Sequence, residues 1–437
     1  MSGVNRRSFI EQSALSAAAL AASASLASAA DQKDAITVGL IGCGGMGNAH
    51  LSLLTNRKDV RIAYVCDVDA NRLASAAKRV EQGGKPAPKA VKDLRTVLDD
   101  SAVDAVWIAT PDHWHSPAAI LAVNAGKHVY VEKPVSHNIR EGRLLLEAAR
   151  KQNRVVQVGT QSRSTAHVMR AMEILREGVI GDVLVAKAWN SQKRGNIGKQ
   201  QPTSPPDFLD FDLGPGPAPE RPYQSNLLHS IWRWWYDFGV GDIGNDGVHD
   251  IDLARWGLGV TGQPTSVVAL GGKYFFDDDQ QFPDTQTCIY EWPGDGKVGQ
   301  KRQLIFEQRI WSPYVQEGYE NGNAFYGTKG MLLLGKGNGF QVFGPKNAPG
   351  EKATGTFDLP AHHQNFLDCV RSGKRPSADI EEGHLSASLA HLGNIACRVG
   401  RSLTLDPQTE RIVGDDEADK LVRREYRPGH WAVPAGA

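Results

Sequence analysis

The 437-residue sequence has no net charge, few cysteines and no long apolar run, and each shortage excludes a class of protein. Its 49 lysines and arginines balance its 49 aspartates and glutamates, so no positive field attracts nucleic acid or anionic lipid. Its five cysteines are scattered and lack C-x-x-C spacing, which argues against a disulfide framework or a zinc ribbon. Beyond the first 30 residues, no apolar run is long enough to cross a membrane.

The first 30 residues have the features of an export signal. Arg6 and Arg7 precede an alanine-rich, mildly apolar run that ends in the small residues Ala27, Ser28 and Ala29. The alternative is an alanine-rich helix without a targeting role, since alanine favours helix. We predict a twin-arginine signal peptide over residues 1 to 30, and therefore export of the folded protein to the periplasm.

A glycine-rich turn follows the first strand predicted after the signal. The apolar run ITVGLI predicts a strand buried on both faces. Gly42, Gly44 and Gly47 come next in G-x-G-x-x-G spacing, with Gly45 and Met46 between them. Such a turn brings backbone N–H groups and a helix N-terminus close to a pyrophosphate. These five residues are predicted to bind a dinucleotide.

The second predicted strand, VRIAYVCD, ends at Asp67, twenty residues beyond Gly47. A carboxylate at this place binds a ribose 2′-hydroxyl and repels a 2′-phosphate, which favours NAD over NADP. Two alternatives stay open. Asp67 could be an ordinary turn or helix-cap residue, and Arg72 close by could accommodate NADP.

Strands and helices continue to alternate up to residue 160, which predicts a doubly wound parallel sheet over residues 34 to 160. Ligands of such sheets lie at the carboxyl ends of the strands. The residues predicted to contact the cofactor there are Thr110, Pro111, His115, Glu132 and Lys133.

The segment ATPDHWHSPAAILAVNAGKHVYVEKP, together with the glycine turn, resembles the Gfo/Idh/MocA oxidoreductase family. The resemblance implies an α/β Rossmann domain followed by an α+β domain with a mostly antiparallel open sheet, here over residues 161 to 437. It also implies NAD-dependent oxidation of a sugar, glycoside or cyclitol hydroxyl, and dimers or tetramers that form through the sheet. Strand-like runs such as DVLVAKAW and TQTCIYEW agree with the second domain.

By the same resemblance, Lys133 of the EKP triplet is catalytic and lies beside both nicotinamide and substrate, before a proline bond that is often cis. The chemistry calls for such a group, because an ammonium stabilises the charge that develops as a hydroxyl loses its proton. A solvated Glu132–Lys133 ion pair at a strand end is the structural alternative.

The stretch NDGVHDIDLARW predicts a helix capped by Asn245 or Asp246, with His249 and Asp252 on one face. It resembles the family's D-x-x-x-H signature, which makes His249 the second catalytic candidate and places it at the substrate. Asn245 stands where the family has aspartate, and an amide can bind a hydroxyl but cannot act as a base. Asp246 or Asp242 could replace it only if the backbone turns that side chain inward.

Further substrate-binding candidates are Arg163, placed by the resemblance, and Trp232 and Arg233, which follow a proline-rich segment. Their aromatic neighbours could stack on a sugar or simply form core. Pairs of histidines at 113 and 115 and at 362 and 363 lack a third ligand at metal spacing, so no metal is predicted.

Three functions compete. The leading hypothesis is an exported NAD(P)-dependent oxidoreductase of carbohydrate with tightly bound cofactor, since no nicotinamide pool exists outside the cytoplasm. The second is an exported glycoside hydrolase that uses NAD transiently; Lys133 argues against it, because that branch lacks the lysine. The third is a sugar-binding protein without catalysis on a reused scaffold.

Overall fold

The computed structural model describes residues 35–437, so the predicted export signal lies outside the described residues. Within that range, no helix combines the length and apolar character that a membrane crossing needs. Two sheets organise this part of the chain.

The first sheet is parallel, with six strands in the order β3-β2-β1-β4-β5-β6. This is the strand order of a dinucleotide-binding Rossmann domain, and it confirms the first half of the predicted fold. Its strands are β1 Ile36–Ile41, β2 Val60–Cys66, β3 Lys89–Val91, β4 Ala105–Ile108, β5 His128–Val131 and β6 Val156–Val158. Its helices are α1 Gly45–Thr55, α2 Ala70–Gln82, α3 Leu94–Leu98, α4 Asp112–Asn124 and α5 Ile139–Lys151.

The second sheet has ten strands, and among its pairs only β7 with β10 is parallel, as the resemblance implied. In spatial order it runs β14-β13-β12-β11-β7-β10-β9-β8-β15-β16. The strands are β7 Val183–Asn190, β8 Ser266–Gly272, β9 Thr285–Trp292, β10 Arg302–Arg309, β11 Asn321–Gly327, β12 Met331–Gly335, β13 Gly339–Phe343, β14 Pro349–Thr354, β15 Leu403–Asp406 and β16 Arg411–Ile412. The remaining helices are α6 Ala166–Arg176, α7 Val248–Leu258, α8 Leu359–Ser372, α9 Ile380–Val399 and α10 Asp416–Lys420.

Helices α7 and α9 cover the inner face of the second sheet. Side chains alternate between the two faces along strand β8. Val267 and Ala269 are buried on the covered face, whereas Val268 and Leu270 are exposed on the other.

Residues beyond the predicted boundary at 160 also pack against the Rossmann sheet. Phe366 of α8 packs edge-on against Trp107 of β4, with ring centroids 5.0 Å apart. Ile380 and Ala387 of α9, with Ala432 near the C-terminus, also belong to the Rossmann core. The C-terminal helices therefore join the two sheets.

Between β7 and the helical turn that precedes α7, residues 192–238 form a long segment with little regular structure, which we name the strap. The strap crosses the carboxyl edge of the Rossmann sheet. Leu209 forms an isolated bridge with Asp69, the amide N–H of Asp210 donates to the carbonyl of Val68 at 2.9 Å, and Trp114 Nε1 donates to the carbonyl of Gly214 at 2.8 Å. The proline-rich segment is thus ordered by packing.

Candidate active site

A cleft of about 410 Å³ lies between the carboxyl edge of the Rossmann sheet and the strap, a size typical of cofactor and ligand sites. Its walls include nearly all the residues predicted to contact the cofactor. These are Gly42, Gly44, Gly45, Met46, Asp67, Thr110, Pro111, His115, Glu132 and Lys133. Of the predicted substrate-binding residues, Trp232, Arg233 and Asn245 line it as well.

The glycine turn is built for close backbone approach. Gly42 has φ +92°, and a Cβ there would lie 2.5 Å from the carbonyl oxygen of Ala109. A Cβ on Gly47 would lie 1.9 Å from the carbonyl oxygen of Gly42, so α1 could not pack against the turn. Thr110 Oγ1 is buried without a hydrogen-bond partner in the described chain. This bare cradle at a helix N-terminus fits the pyrophosphate of a dinucleotide.

Asp67 follows the second strand directly and contacts the glycine turn. Its carboxylate accepts hydrogen bonds from the backbone N–H groups of Cys43 at 2.7 Å and Asp69 at 2.8 Å. Burial raises the pKa of Asp67. The guanidinium of Arg72 lies close to Gly44, since a Cβ there would be 2.8 Å from it. An acid and a base thus flank the end of the cleft where a ribose is expected.

Lys133 points across the cleft to the second domain. Its ammonium donates to the backbone carbonyl of Asn245 at 2.7 Å, and its bond to Pro134 is cis. The adjacent Glu132 is buried, and one of its oxygens lies 3.0 Å from Nε2 of His50. Burial opposes ionisation, but the His50 hydrogen bond and the charge of Lys133 lower the pKa of Glu132 to about 2. Glu132 is therefore an anchored carboxylate and not a solvated partner of Lys133.

His249 lies in the first turn of α7 and is almost completely buried. Its Nδ1 has no hydrogen-bond partner among residues 35–437. Burial, followed by the charges of Lys133 and Lys336, lowers the pKa of His249 to about 3. The imidazole is therefore neutral at physiological pH, and His249, unlike Lys133, is not among the residues that line the cleft.

The prediction that Asn245 or Asp246 caps the helix is wrong. A π-helical turn over Ile243–Gly247 runs directly into α7, and neither side chain makes a cap hydrogen bond. Such turns concentrate at functional sites. Here the turn places the carbonyl of Asn245 within reach of Lys133, while the Asn245 amide donates to Asp242 at 2.9 Å.

Neither nearby aspartate replaces the missing family aspartate as a free base. Asp242 is fully buried and accepts from Asn190 and Arg194 as well as Asn245. Asp246 is absent from the cleft wall and lies 3.1 Å from the ammonium of Lys336. Burial opposes ionisation of Asp246, but Lys336 and the other positive charges around it together lower its pKa. Both accept hydrogen bonds from cations of the second domain, Asp242 from Arg194 and Asp246 from Lys336.

The structure does not bring Arg163 into the cleft. Its guanidinium forms two 2.8 Å hydrogen bonds with Asp252 and lies 3.2 Å from Glu382, all beneath α7. It also covers the ring of Trp256 at 4.9 Å. With all of its charge paired, Arg163 has the contacts of a structural residue, and we remove it from the substrate-binding set.

The histidine pairs hold the fold together. The ring nitrogens of His115 lie 2.7 and 2.9 Å from the carbonyl oxygens of Pro134 and Thr110, which ties two strand ends to each other. His363 Nε2 lies 2.8 Å from His50 Nδ1, and His362 contacts Ser164. In the described part of the chain, no three His, Cys, Asp or Glu side chains are grouped as metal ligands would be.

Several cleft residues escaped the sequence analysis. The strap supplies Leu209, Phe211 and His229, and the C-terminal segment supplies Trp431. No local pattern marks these residues, because they reach the cleft only through contacts between distant segments. Asp112 also lines the cleft, and its position at the start of α4, after β4, could have indicated it.

Two family models match the chain. The NAD-binding Rossmann fold of an oxidoreductase family, Gfo/Idh/MocA, matches residues 36–160, and the family's C-terminal α/β domain matches residues 179–288 and 327–433. Together the matches cover well over half of the 437 residues.

Individual relatives agree with these matches. A glycosyl hydrolase family 109 protein of Streptomyces niveus is 30% identical over 69% of this chain and 59% of its own length. Inositol 2-dehydrogenase 2 of Saccharopolyspora erythraea is 31% identical over 51% of this chain and 54% of its own. The chain thus spans little more than half the length of either relative.

Among solved structures, levoglucosan dehydrogenase in complex with NADH and levoglucosan has the same fold, with a TM-score of 0.63 and 20% identity over 84% of this chain and 98% of its own. Sheet order, glycine turn, EKP triplet and family models agree. The chain belongs to the Gfo/Idh/MocA family of oxidoreductases.

Proposed function

We propose that this protein oxidises a hydroxyl group of a carbohydrate, glycoside or cyclitol with NAD held in the cleft. The observation that carries the proposal is Lys133, whose ammonium stands in the cleft beside the carbonyl of Asn245 at 2.7 Å. The dehydrogenases among its relatives and structural neighbours, named for inositol and levoglucosan, support this substrate class.

The chain's own residues supply the proton chemistry. NAD, when bound, supplies the acceptor for the hydride of the carbinol carbon. The ammonium of Lys133 stabilises negative charge on the hydroxyl oxygen as its proton leaves. As acceptor of that proton we propose neutral His249, whose Nδ1 has no hydrogen-bond partner among residues 35–437. Glu132, anchored by His50, fixes the backbone from which Lys133 extends, since its second oxygen lies 3.2 Å from the N–H of Lys133.

We propose further that the cofactor stays bound between turnovers. The strap and the C-terminal segment cover the cleft and are tied to the Rossmann domain. His229 contacts Asp69 at 2.9 Å, and Arg424 donates to the carbonyl of His113 at 2.8 Å. A covered cleft slows dissociation, which suits a protein exported with its cofactor already loaded.

Asp67 supports NAD over NADP as that cofactor. A 2′-phosphate would lie against a partly buried carboxylate that already has two backbone donors and, within residues 35–437, no cation bonded to it. Arg72 is the residue that an NADP-dependent protein would use instead.

One experiment tests cofactor retention and export together. The protein is purified natively from a periplasmic fraction and denatured, and the released small molecules are identified by mass spectrometry. We expect about one equivalent of NAD or NADH per chain. Protein that is empty and binds added NAD only weakly would contradict the proposal, and absence of the protein from the periplasm would contradict export alone.

A glycoside hydrolase that oxidises its substrate transiently is the second candidate, favoured by the family 109 relative. Oxidation of a ring carbon acidifies the neighbouring C–H and permits elimination of the aglycone without paired carboxylates. Product analysis separates the two functions. Release of free sugar from a glycoside without net NADH would establish the hydrolase, and an oxidised glycoside would establish the dehydrogenase.

Self-association through the outer face of the second sheet is also proposed. Leu270 is 77% exposed there, with Val268 beside it and Tyr274 and Phe275 just beyond the strand. Light scattering should report a dimer or tetramer that Leu270→Glu dissociates.

A further inference from the structure

Two cationic side chains, Lys133 and Arg233, line one end of the cleft without carboxylate partners in the described residues. The ammonium of Lys133 donates to a backbone carbonyl. Arg233 of the strap forms no hydrogen bond and no ion pair in the part of the chain that the structure describes, although its Nε is buried. Trp232 lies 5.1 Å from the guanidinium and packs against it. Its partly exposed guanidinium lines the cleft and has no counterion among the described residues, so it can pair with an anionic ligand.

The carboxyl groups around Arg233 do not supply that partner. Asp242 accepts a hydrogen bond from Arg194 at 3.0 Å, and Asp246 forms an ion pair with Lys336. Asp112 is the remaining carboxyl group, and burial raises its pKa to about 7 against the opposing charges of Lys133 and Arg233. It is therefore substantially protonated at neutral pH, which leaves positive charge in excess at this end of the cleft.

We propose that Arg233 binds the carboxylate of an acidic carbohydrate, a uronate or an aldonate, while Lys133 faces the hydroxyl that is oxidised. The inference rests on the proposed function, because both concern one site, and it narrows the substrate to anionic sugars. A guanidinium donates two parallel hydrogen bonds to a planar carboxylate, whereas a hydroxymethyl group leaves its charge without a counterion.

Pairs of substrates that differ only at C6 test this directly. Methyl glucuronoside against methyl glucoside, and methyl galacturonoside against methyl galactoside, exchange a carboxylate for a hydroxymethyl group. The rate of the single reduction of bound nicotinamide, followed as a function of sugar concentration, gives the second-order rate constant of hydride transfer for each member. We expect the wild-type protein to favour the acidic member of at least one pair by about tenfold to hundredfold, the range of a charge-assisted hydrogen bond.

Three variants assign the preference to a residue. Arg233→Gln should abolish the preference for the acid, and Arg233→Lys, which keeps the charge without the fork, should retain part of it. Arg423→Gln, an exposed arginine of the C-terminal segment, should leave it unchanged. If Arg233→Gln fails to fold by circular dichroism, the lysine variant and the wild-type ratio still decide the question.

Each contrary outcome has its own meaning. Equal turnover of acidic and neutral sugars overturns the anionic substrate class and leaves the oxidoreductase proposal standing. An unchanged acid-to-neutral ratio in Arg233→Gln, with weaker NAD binding, assigns the arginine to the cofactor and overturns the inference. Failure of every sugar in both pairs to reduce bound nicotinamide counts against the proposed function itself, and the inference falls with it.

Discussion

Two groups of charged side chains flank helix α7, and they differ in how completely they are paired. On one side, Arg163 forms two hydrogen bonds with Asp252, which also accepts from Ser386 at 2.7 Å, and Arg255 pairs with Glu382. On the other side, Lys133 and Arg233 line the cleft without a carboxylate partner, and Nδ1 of His249 has no hydrogen-bond partner, within residues 35–437.

Residue type alone does not distinguish these groups, since each contains an arginine. The distinction is whether the charged and hydrogen-bonding groups have partners within the protein. A network in which every donor and acceptor is already bonded cannot bind a ligand, and it contributes to the specificity of folding. Polar groups without partners in a cleft are able to bind substrate or cofactor. The comparison explains why Arg163, a reasonable candidate by resemblance, is structural and why Arg233 is not.

Replacing Lys133 should have the largest effect on activity. In Lys133→Met, the hydroxyl oxygen loses its charge stabilisation, and we expect kcat to fall by about 10²–10⁴-fold, the usual contribution of a positioned proton-transfer group. Nicotinamide absorbance at saturating sugar measures the loss. The exposed Lys329→Met is the matched control, and an unchanged kcat in Lys133→Met would contradict the assignment.

Arg163→Met should show the opposite pattern. Removing the arginine leaves Asp252 buried and unpaired, which costs about 3–5 kcal/mol of the free energy of unfolding. Urea denaturation measures this, and kcat of the folded variant should stay near that of the wild type. Adding Asp252→Asn should recover part of the stability; a loss of kcat without loss of stability would place Arg163 in the catalytic group after all.

Loosening the strap should change cofactor retention by about tenfold. His229→Ala removes the contact with Asp69 that ties the strap to the Rossmann domain. A chase of labelled NAD with unlabelled NAD gives the dissociation rate, which we expect to rise about tenfold, the effect of losing a hydrogen bond to a charged group. Lys199→Ala breaks an exposed ion pair of the same strap with Asp277 and should leave the rate unchanged. Equal rates in both variants would show that the strap does not retain the cofactor.

The smallest expected effect is a pH dependence of a few-fold. Asp112, with a pKa raised by burial to about 7, is flanked by Lys133, Arg233 and Glu132. Below pH 7 it is neutral, and above pH 7 its negative charge competes with an acidic sugar for Arg233. The KM of such a sugar should therefore rise as pH increases through 7, and Asp112→Asn should flatten the profile. A profile unaffected by this substitution would assign the titration elsewhere.

Local pattern predicted one half of the site and long-range packing determined the other. The glycine turn, Asp67 and Lys133 were found from sequence because strand, turn and helix signals fix where a parallel sheet presents its carboxyl ends. His229 and Trp431 were not, since each meets the cleft across more than a hundred residues of chain. The pairing of Arg163 with Asp252 was hidden for the same reason, and the π-helical turn over Ile243–Gly247 has no signal in residue spacing.

Single-turnover hydride transfer tests the central claim most directly. Natively purified protein that retains its NAD is mixed with carbohydrates that carry deuterium or hydrogen at the oxidised carbon, and the reduced nicotinamide is followed in wild type, Lys133→Met and Arg163→Met. The account predicts reduction in wild type and in Arg163→Met, slower with deuterium, and almost none in Lys133→Met. Equal reduction in Lys133→Met, or none in any of the three proteins although NAD is bound, would contradict it.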